Sequence, residues 1–127
     1  MPLVRISLRK GKPVAHRKAV ADGIYTALRE TFNVPEEDRF ITIDEHDEDD
    51  FIFSRSYMGI ERSDDMVILQ ITVSNTRSIE QKKALFARIA ELLSRAPGLR
   101  PEDVFINLVE VIKENWSFGN GIAQYAD

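Results

Sequence analysis

Pro2 and Arg77 are two residues of this chain whose type and position suit them to chemistry on a small acid. An initiator Met is generally removed when the next residue is small. Removal here would leave a secondary amine at the head of Met1-Pro2-Leu3-Val4-Arg5-Ile6-Ser7-Leu8. An α-amino group titrates at about 7.7–8.0, and burial lowers that value because it disfavours the charged form. A prolyl amine at a strand end is therefore a candidate general base or acid near neutral pH. The plainer role is that Pro2 starts a strand, where its missing N–H does no harm. Arg77 directly precedes Ser78-Ile79-Glu80-Gln81, a capping box in which Ser accepts from the third helical N–H and Gln reaches back. A helix start adds partial positive charge and free N–H groups beside that guanidinium, whose planar fork suits a carboxylate. The alternative for Arg77 is a surface ion pair, for instance with Glu80.

The elements that must position these groups repeat. Residues 3–8 alternate as a strand, with Val4, Ile6 and Leu8 on one face. After Gly11-Lys12-Pro13, apolar residues recur at helical spacing through Val20, Ile24, Ala27 and Leu28 to about Thr31. A turn at 33–38 leads to a strand over Arg39 to Glu45. Met66 to Val73 is a third, strongly apolar strand, Ser78 to about Ala96 a second helix, and Val104 to Val111 a fourth strand. The halves superpose at a constant offset of 65 residues: Ile6 on Ile71, Val20 on Leu85, Ile24 on Ile89, Glu37-Asp38 on Glu102-Asp103. This is a tandem duplication of one β-α-β unit, with units at about 2–45 and 66–111, a linker at 46–65 and a tail at 112–127 in a single domain. Each crossover makes its two strands parallel. The fold class is α/β (α+β): a four-stranded mixed sheet with both helices on one face. The bare face calls for self-association into a ring-like homo-oligomer.

The repeat bears on Asp38. Its equivalent, Asp103, sits in a similar Pro-Glu-Asp turn, so one reading is an Asp that satisfies backbone N–H groups as the chain enters a strand. A role in a site is the other reading, since only one copy need face a pocket. Asn75 could orient a substrate oxygen or end a strand. Trp116 and Phe118 could wall a pocket, excluding water and lowering an amine pKa, or pack a seam between subunits. The linker reads as a solvated acidic loop, Asp44 to Asp50, followed by a short ribbon at Phe51-Ile52-Phe53. The Gly-punctuated tail reads as a closing hairpin. His16, on the polar side of the first helix, reads as exposed.

Composition narrows the classes. The chain has 127 residues, 43% of them hydrophobic and 30% charged, with net charge −4 and no cysteine. An acidic balance argues against a nucleic-acid or anionic-membrane surface. Lack of Cys excludes disulfides, thiolate zinc and a Cys nucleophile. No apolar run approaches the ~20 residues of a membrane span. The acidic stretch with His46 lacks the Gly-centred spacing of a calcium loop, and there is no phosphate loop. The expectation is a cytoplasmic protein with no metal and no cofactor.

Several pieces together resemble the tautomerase superfamily, in particular its malonate semialdehyde decarboxylase branch. They are Met-Pro opening a strand, Val34-Pro35-Glu36-Glu37-Asp38-Arg39-Phe40, Leu69-Gln70-Ile71, Arg77-Ser78-Ile79-Glu80-Gln81-Lys82 and Trp116-Ser117-Phe118-Gly119. The resemblance spans nearly the whole chain. It implies a homotrimer of β-α-β-β-α-β subunits, a small carboxylic acid as substrate and Pro2 as the catalytic group. Asp38 matches the Asp that works with the proline in that branch. The branch's Arg-x-Arg pair reads Asn75-Thr76-Arg77 here, so Arg77 is kept and Asn75 replaces a charged residue. That departure weakens the case for malonate semialdehyde as the substrate. The implied activity is keto–enol tautomerisation by neutral Pro2. The alternatives are decarboxylation or hydration with cationic Pro2, and a trimeric binding scaffold without turnover.

Overall fold

The computed structural model describes residues 1–126. Its main elements are β1 (Leu3–Arg9), α1 (Val14–Phe32), β2 (Ile41–His46), β3 (Val67–Ser74), α2 (Ile79–Arg95) and β4 (Val104–Val111). The strands form one sheet in the order β2-β1-β3-β4. β1 runs parallel to β2, β3 parallel to β4, and the two central strands antiparallel. This is the mixed sheet that a duplicated β-α-β unit requires.

The strand register carries the duplication. Val4 pairs with Ile41, and 65 positions on Leu69 pairs with Ile106. Between the halves, Val4 pairs with Ile71 and Ile6 with Leu69, which exchange under the same offset. Arg5 pairs with Gln70, its own equivalent, so the pseudo-two-fold passes through that pair. Even an ion pair is copied: Arg17 to Glu45 at 2.9 Å, and Lys82 to Glu110 at 2.8 Å.

One core joins both halves. Val4, Ile6 and Leu8 of β1 and Val67, Leu69, Ile71 and Val73 of β3 are buried under α1 and α2. Period-two alternation sends these side chains to one face of the sheet. α1 contributes Val20, Ile24, Ala27, Leu28 and Phe32, and α2 contributes Leu85, Ile89 and Leu93. The helices cross closely at Gly23, where an added Cβ would lie 2.8 Å from Leu93 Cδ2. A mid-helix glycine costs about 1 kcal/mol against alanine, so the close approach is what it serves. The capping box at Ser78 is formed in both directions: Gln81 N–H donates to Ser78 Oγ at 3.2 Å, and Ser78 N–H donates to Gln81 Oε1 at 3.0 Å.

Three expectations need correction. Phe51-Ile52-Phe53 forms no ribbon; Phe51 is buried beside His46, and Phe53 lies under Arg9 and Arg55. The acidic run is exposed as expected, Asp47 to Asp50 facing solvent, with Lys10 at 3.2 Å from Asp47 and Arg9 at 3.8 Å from Glu48. The tail is not a hairpin. It curls through turns held by Gln124, which accepts from Phe118 N–H and donates to Gly119 O, both at 2.9 Å. Asp127 lies outside the described residues. His16 is half-buried with Nε2 shut off from solvent and without a hydrogen-bond partner. Burial first, and then Lys12, lowers its pKa. The other sheet face remains bare, exposing Leu3, Phe105 and Val109, and beside it Tyr57 and Met58. Among the described residues no helix is long and apolar enough to cross a membrane.

Candidate functional site

The pseudo-symmetry makes its own comparison at the two ends of the sheet. Asp103, before β4, is buried and fully used: its carboxylate accepts from Ser63 N–H at 2.7 Å and from Ser63 Oγ–H at 2.6 Å. The offset puts the equivalent of Ser63 ahead of Met1, and Asp38 faces a terminal amine instead. Asp38 Oδ2 lies 3.9 Å from the Met1 nitrogen, while Oδ1 is buried with no partner. A buried carboxylate oxygen without a donor is expensive, and its counterpart shows that the fold can satisfy this position when it is structural.

Asp38, the Met1 amine and Arg77 line one cavity of about 570 Å³, with Phe40, Thr76 and Lys113. Arg77 is oriented from the protein side. Its guanidinium donates to Phe32 O, the last carbonyl of α1, at 2.7 Å and to Thr76 Oγ1 at 3.0 Å, and it stacks over the Phe32 ring at 5.0 Å. Among the described residues no carboxylate pairs with it within 4 Å, Glu80 included. A guanidinium has five N–H donors, so most remain for a ligand. The three charges act on one another. Burial lowers the pKa of the Met1 amine most, with Asp38 opposing and Arg77 adding to the fall. Burial raises that of Asp38, against the pull of the amine and Arg77.

Pro2 is buried and lines an adjoining apolar cavity of about 260 Å³ with Leu3, Phe40, Trp116, Ser117 and Phe118. Met1 and Phe40 line both cavities, so the strand end lies between a charged chamber and an aromatic one. Trp116 stacks on Phe118 at 5.5 Å, and its Nε1–H donates to Ser74 Oγ at 3.1 Å. Ser74 is buried at the end of β3 and lines the charged cavity. That bond ties the tail to the strand. Tyr125 crosses Phe118 edge to face at 5.0 Å and also lines the charged cavity.

The structure therefore gathers Pro2, Asp38, Arg77, Trp116 and Phe118 around one strand end. Asn75 is not brought in: it is exposed, bonded through its backbone to Val111 O, and lines neither cavity. Its neighbour Thr76 takes that place. Sequence reasoning did not single out Phe40, Lys113 or Tyr125 as lining residues, and none stands in a periodic pattern that would mark it. Among the described residues no His, Asp or Glu side chains gather in a group of three that could hold a metal.

A family profile described as "Tautomerase enzyme" matches residues 38–119, and a second of the same description matches residues 2–59. The chain is 39% identical over 124 residues to "Probable tautomerase YusQ" of Bacillus subtilis (strain 168), covering 98% of each. It also superposes on two solved structures. A malonate semialdehyde decarboxylase matches with TM-score 0.91 and 32% identity, over 97% of this chain and 95% of that one. The FG41 malonate semialdehyde decarboxylase inhibited by 3-bromopropiolate matches with TM-score 0.91 and 38% identity, over 97% and 93%.

Proposed function

This chain belongs to the tautomerase family, and from that membership we propose that, once Met1 is removed, the Pro2 nitrogen moves a proton between oxygen and carbon of a small carbonyl acid. The observation that carries the reading is Asp38. Its carboxylate is kept buried and without a hydrogen-bond donor, 3.9 Å from the terminal amine, in a cavity that also presents the unpaired Arg77.

In this mechanism Arg77 holds the substrate carboxylate with the N–H groups left free by Phe32 O and Thr76. Neutral Pro2 accepts the enol O–H proton, and the resulting ammonium delivers it to the adjacent carbon. Asp38 stabilises that ammonium while it exists. Trp116, Phe118 and Phe40 keep water from the nitrogen, which holds its pKa low enough for the neutral form. The bare sheet face and the exposed Tyr57, Met58 and Phe105 support assembly as a homotrimer, in which these surfaces are covered.

A second reading is favoured by the two decarboxylases of the same fold and by the carboxylate beside the amine. Here Pro2 is cationic and its N–H polarises the carbonyl of a 3-oxo acid, so that the electron pair of the breaking C–C bond passes towards the carbonyl oxygen as carbon dioxide leaves, and the enolate carbon then takes a proton.

Mass spectrometry of purified protein checks that Met1 is removed. Processed wild type and Pro2→Ala are then assayed with phenylenolpyruvate, a 2-hydroxymuconate-type enol and malonate semialdehyde. Ketonisation by wild type that Pro2→Ala slows by 100-fold or more supports the base. No turnover of any substrate by processed wild type leaves a binding scaffold and ends the enzymatic reading.

A further inference from the structure

The charged cavity has a twin. The offset of 65 carries Ser74, Thr76, Arg77 and Lys113 onto Arg9, Gly11, Lys12 and Glu48, and these four line a cavity of about 390 Å³ at the other end of the pseudo-two-fold. The two ends share a backbone frame and differ in what their charges do.

At the twin end the charges cancel within the protein. Arg9 lies 3.1 Å from Asp64 and 3.8 Å from Glu48, Lys10 lies 3.2 Å from Asp47, and Lys12 is bonded to Asp65. Each cation there has an internal carboxylate. At the Pro2 end the pairing is undone. Arg77 stands where Lys12 stands but has no Asp65. Lys113 replaces the acidic Glu48, and it shares its cavity with Ser74, where Glu48 lies 3.8 Å from Arg9. Among the described residues no carboxylate lies within 4 Å of the Lys113 ammonium. Among the described residues Arg77 and Lys113 thus stay out of ion pairs within 4 Å, in a cavity that Glu37 and Asp38 also line, although the fold pairs the cation at the position equivalent to Arg77.

The backbone that carries Lys113 is also held in place, while the residue itself is exposed. It opens a short 3-10 turn (Lys113–Asn115) directly after β4. The chain before it is fixed by Asn75 N–H donating to Val111 O at 3.0 Å. The chain after it is fixed by Trp116, whose indole donates to Ser74 Oγ. Arg77 is anchored independently, to Phe32 O and Thr76. The two cations therefore approach a ligand from separate supports, which suits two separated anionic groups better than one shared carboxylate.

We propose that Lys113 is a specificity residue that binds a second anionic group of the substrate, so that the site selects a small dicarboxylic oxo acid, with Arg77 on one carboxylate and Lys113 on the other. This rests on the reading of the Pro2 cavity as the substrate site and extends it. Arg77, as a fork, orients its carboxylate, while Lys113, as a point charge on a flexible stem, accepts a range of spacings.

The test uses ligands that do not react, so that it is independent of turnover. Processed full-length protein is titrated calorimetrically with two matched pairs, fumarate against crotonate and trans,trans-muconate against sorbate. In each pair a methyl group replaces one carboxylate. Wild type is expected to bind the diacid of at least one pair about tenfold or more tightly than its monoacid, the size of one charge-assisted contact. In Lys113→Gln that ratio collapses towards one, and in Lys113→Arg most of it is kept. The preference also shrinks between 20 mM and 500 mM salt. Equal affinity for diacid and monoacid in both pairs, a preference that survives Lys113→Gln, or one that Lys113→Arg fails to keep, overturns the proposal. Diacid binding through Lys113 in a chain that ketonises nothing refutes the proposed reaction and leaves this inference standing.

Discussion

Asp38 and Asp103 occupy one position of a duplicated turn, yet Asp103 accepts two hydrogen bonds from Ser63 while Asp38 leaves Oδ1 buried without a donor. Their substitutions should therefore part company. Asp103→Ala strands two donors of the linker and costs about 2–3 kcal/mol of stability. Asp38→Asn removes a buried, unsatisfied charge and leaves stability within about 1 kcal/mol of wild type, or raises it, while lowering kcat/KM at least tenfold. Urea unfolding and an enol ketonisation assay on both variants check the split. Equal destabilisation by both would make Asp38 a second copy of the structural aspartate.

The sign of the pH effect on Asp38 follows from its surroundings. Burial raises its folded pKa above the unfolded value of about 3.9. The folded state then holds a proton that the unfolded state has released, so stability falls as pH rises from the unfolded value through the folded one. Asp38→Asn lacks that term. The variant should gain on wild type as pH is taken from 3.5 upward and hold a constant advantage once both carboxyls are ionised. Unfolding midpoints measured at intervals across that range give the difference directly.

The amine titrates under the same three influences. Burial lowers the pKa of the Met1 amine, Asp38 raises it and Arg77 lowers it. The Pro2 nitrogen, once freed by loss of Met1, is expected to feel the same three influences. If Pro2 acts as a base, kcat/KM climbs with pH to a plateau whose midpoint lies below the usual 7.7–8.0. Asp38→Asn moves that midpoint down and Arg77→Gln moves it up. A profile that instead declines over the same range assigns Pro2 the cationic role. Midpoints that stay fixed in both variants would disconnect the two side chains from the nitrogen.

How much of this was legible in the sequence depended on periodicity. Val4, Ile6 and Leu8, and the 65-residue offset that copies them, gave the sheet and its register because strand faces alternate and duplicated units pair alike. The linker misled because Phe51-Ile52-Phe53 is a short apolar, aromatic run of the kind strands contain, while burial of Phe51 beside His46 and arginines over Phe53 hold it otherwise. The tail misled because one side chain, Gln124, supplies the bonds that a hairpin ladder would have made. Of the site, Pro2 and Arg77 could be read from chain position and the adjoining cap. Asp38 could be found but not assigned, since its meaning lies in what it fails to bond, and Lys113 carried no local signal.

Gly23 tests the packing that brings the halves together. Alanine in mid-helix is worth about 1 kcal/mol over glycine in an exposed position. At Gly23 the new methyl would meet Leu93 Cδ2 at 2.8 Å, and Leu93 is fully buried, so it has nowhere open to go. Overpacking a closed core costs about 1–3 kcal/mol. The net expectation for Gly23→Ala is a loss of about 1 kcal/mol and a lower thermal midpoint. A double variant with Leu93→Val should recover part of it, because the clashing methyl is relieved. A midpoint above wild type for Gly23→Ala alone would mean that the helices yield at this crossing.

Arg77 serves two elements at once, and its variants should separate the two services. Its bond to Phe32 O closes the last turn of α1, and it lines the cavity with N–H donors to spare. Arg77→Gln loses a charge-assisted contact to substrate, worth about 1.5–3 kcal/mol, and should raise KM or lower kcat/KM by tenfold to a few hundredfold. The stability cost, one bond to a carbonyl, stays near 1 kcal/mol. Arg77→Lys keeps the charge but not the planar fork, so it should restore less than a tenth of the lost kcat/KM if the carboxylate is held by two parallel bonds. Full recovery by lysine would show that only the charge matters, and that a bidentate clamp is the wrong description of this end of the cavity.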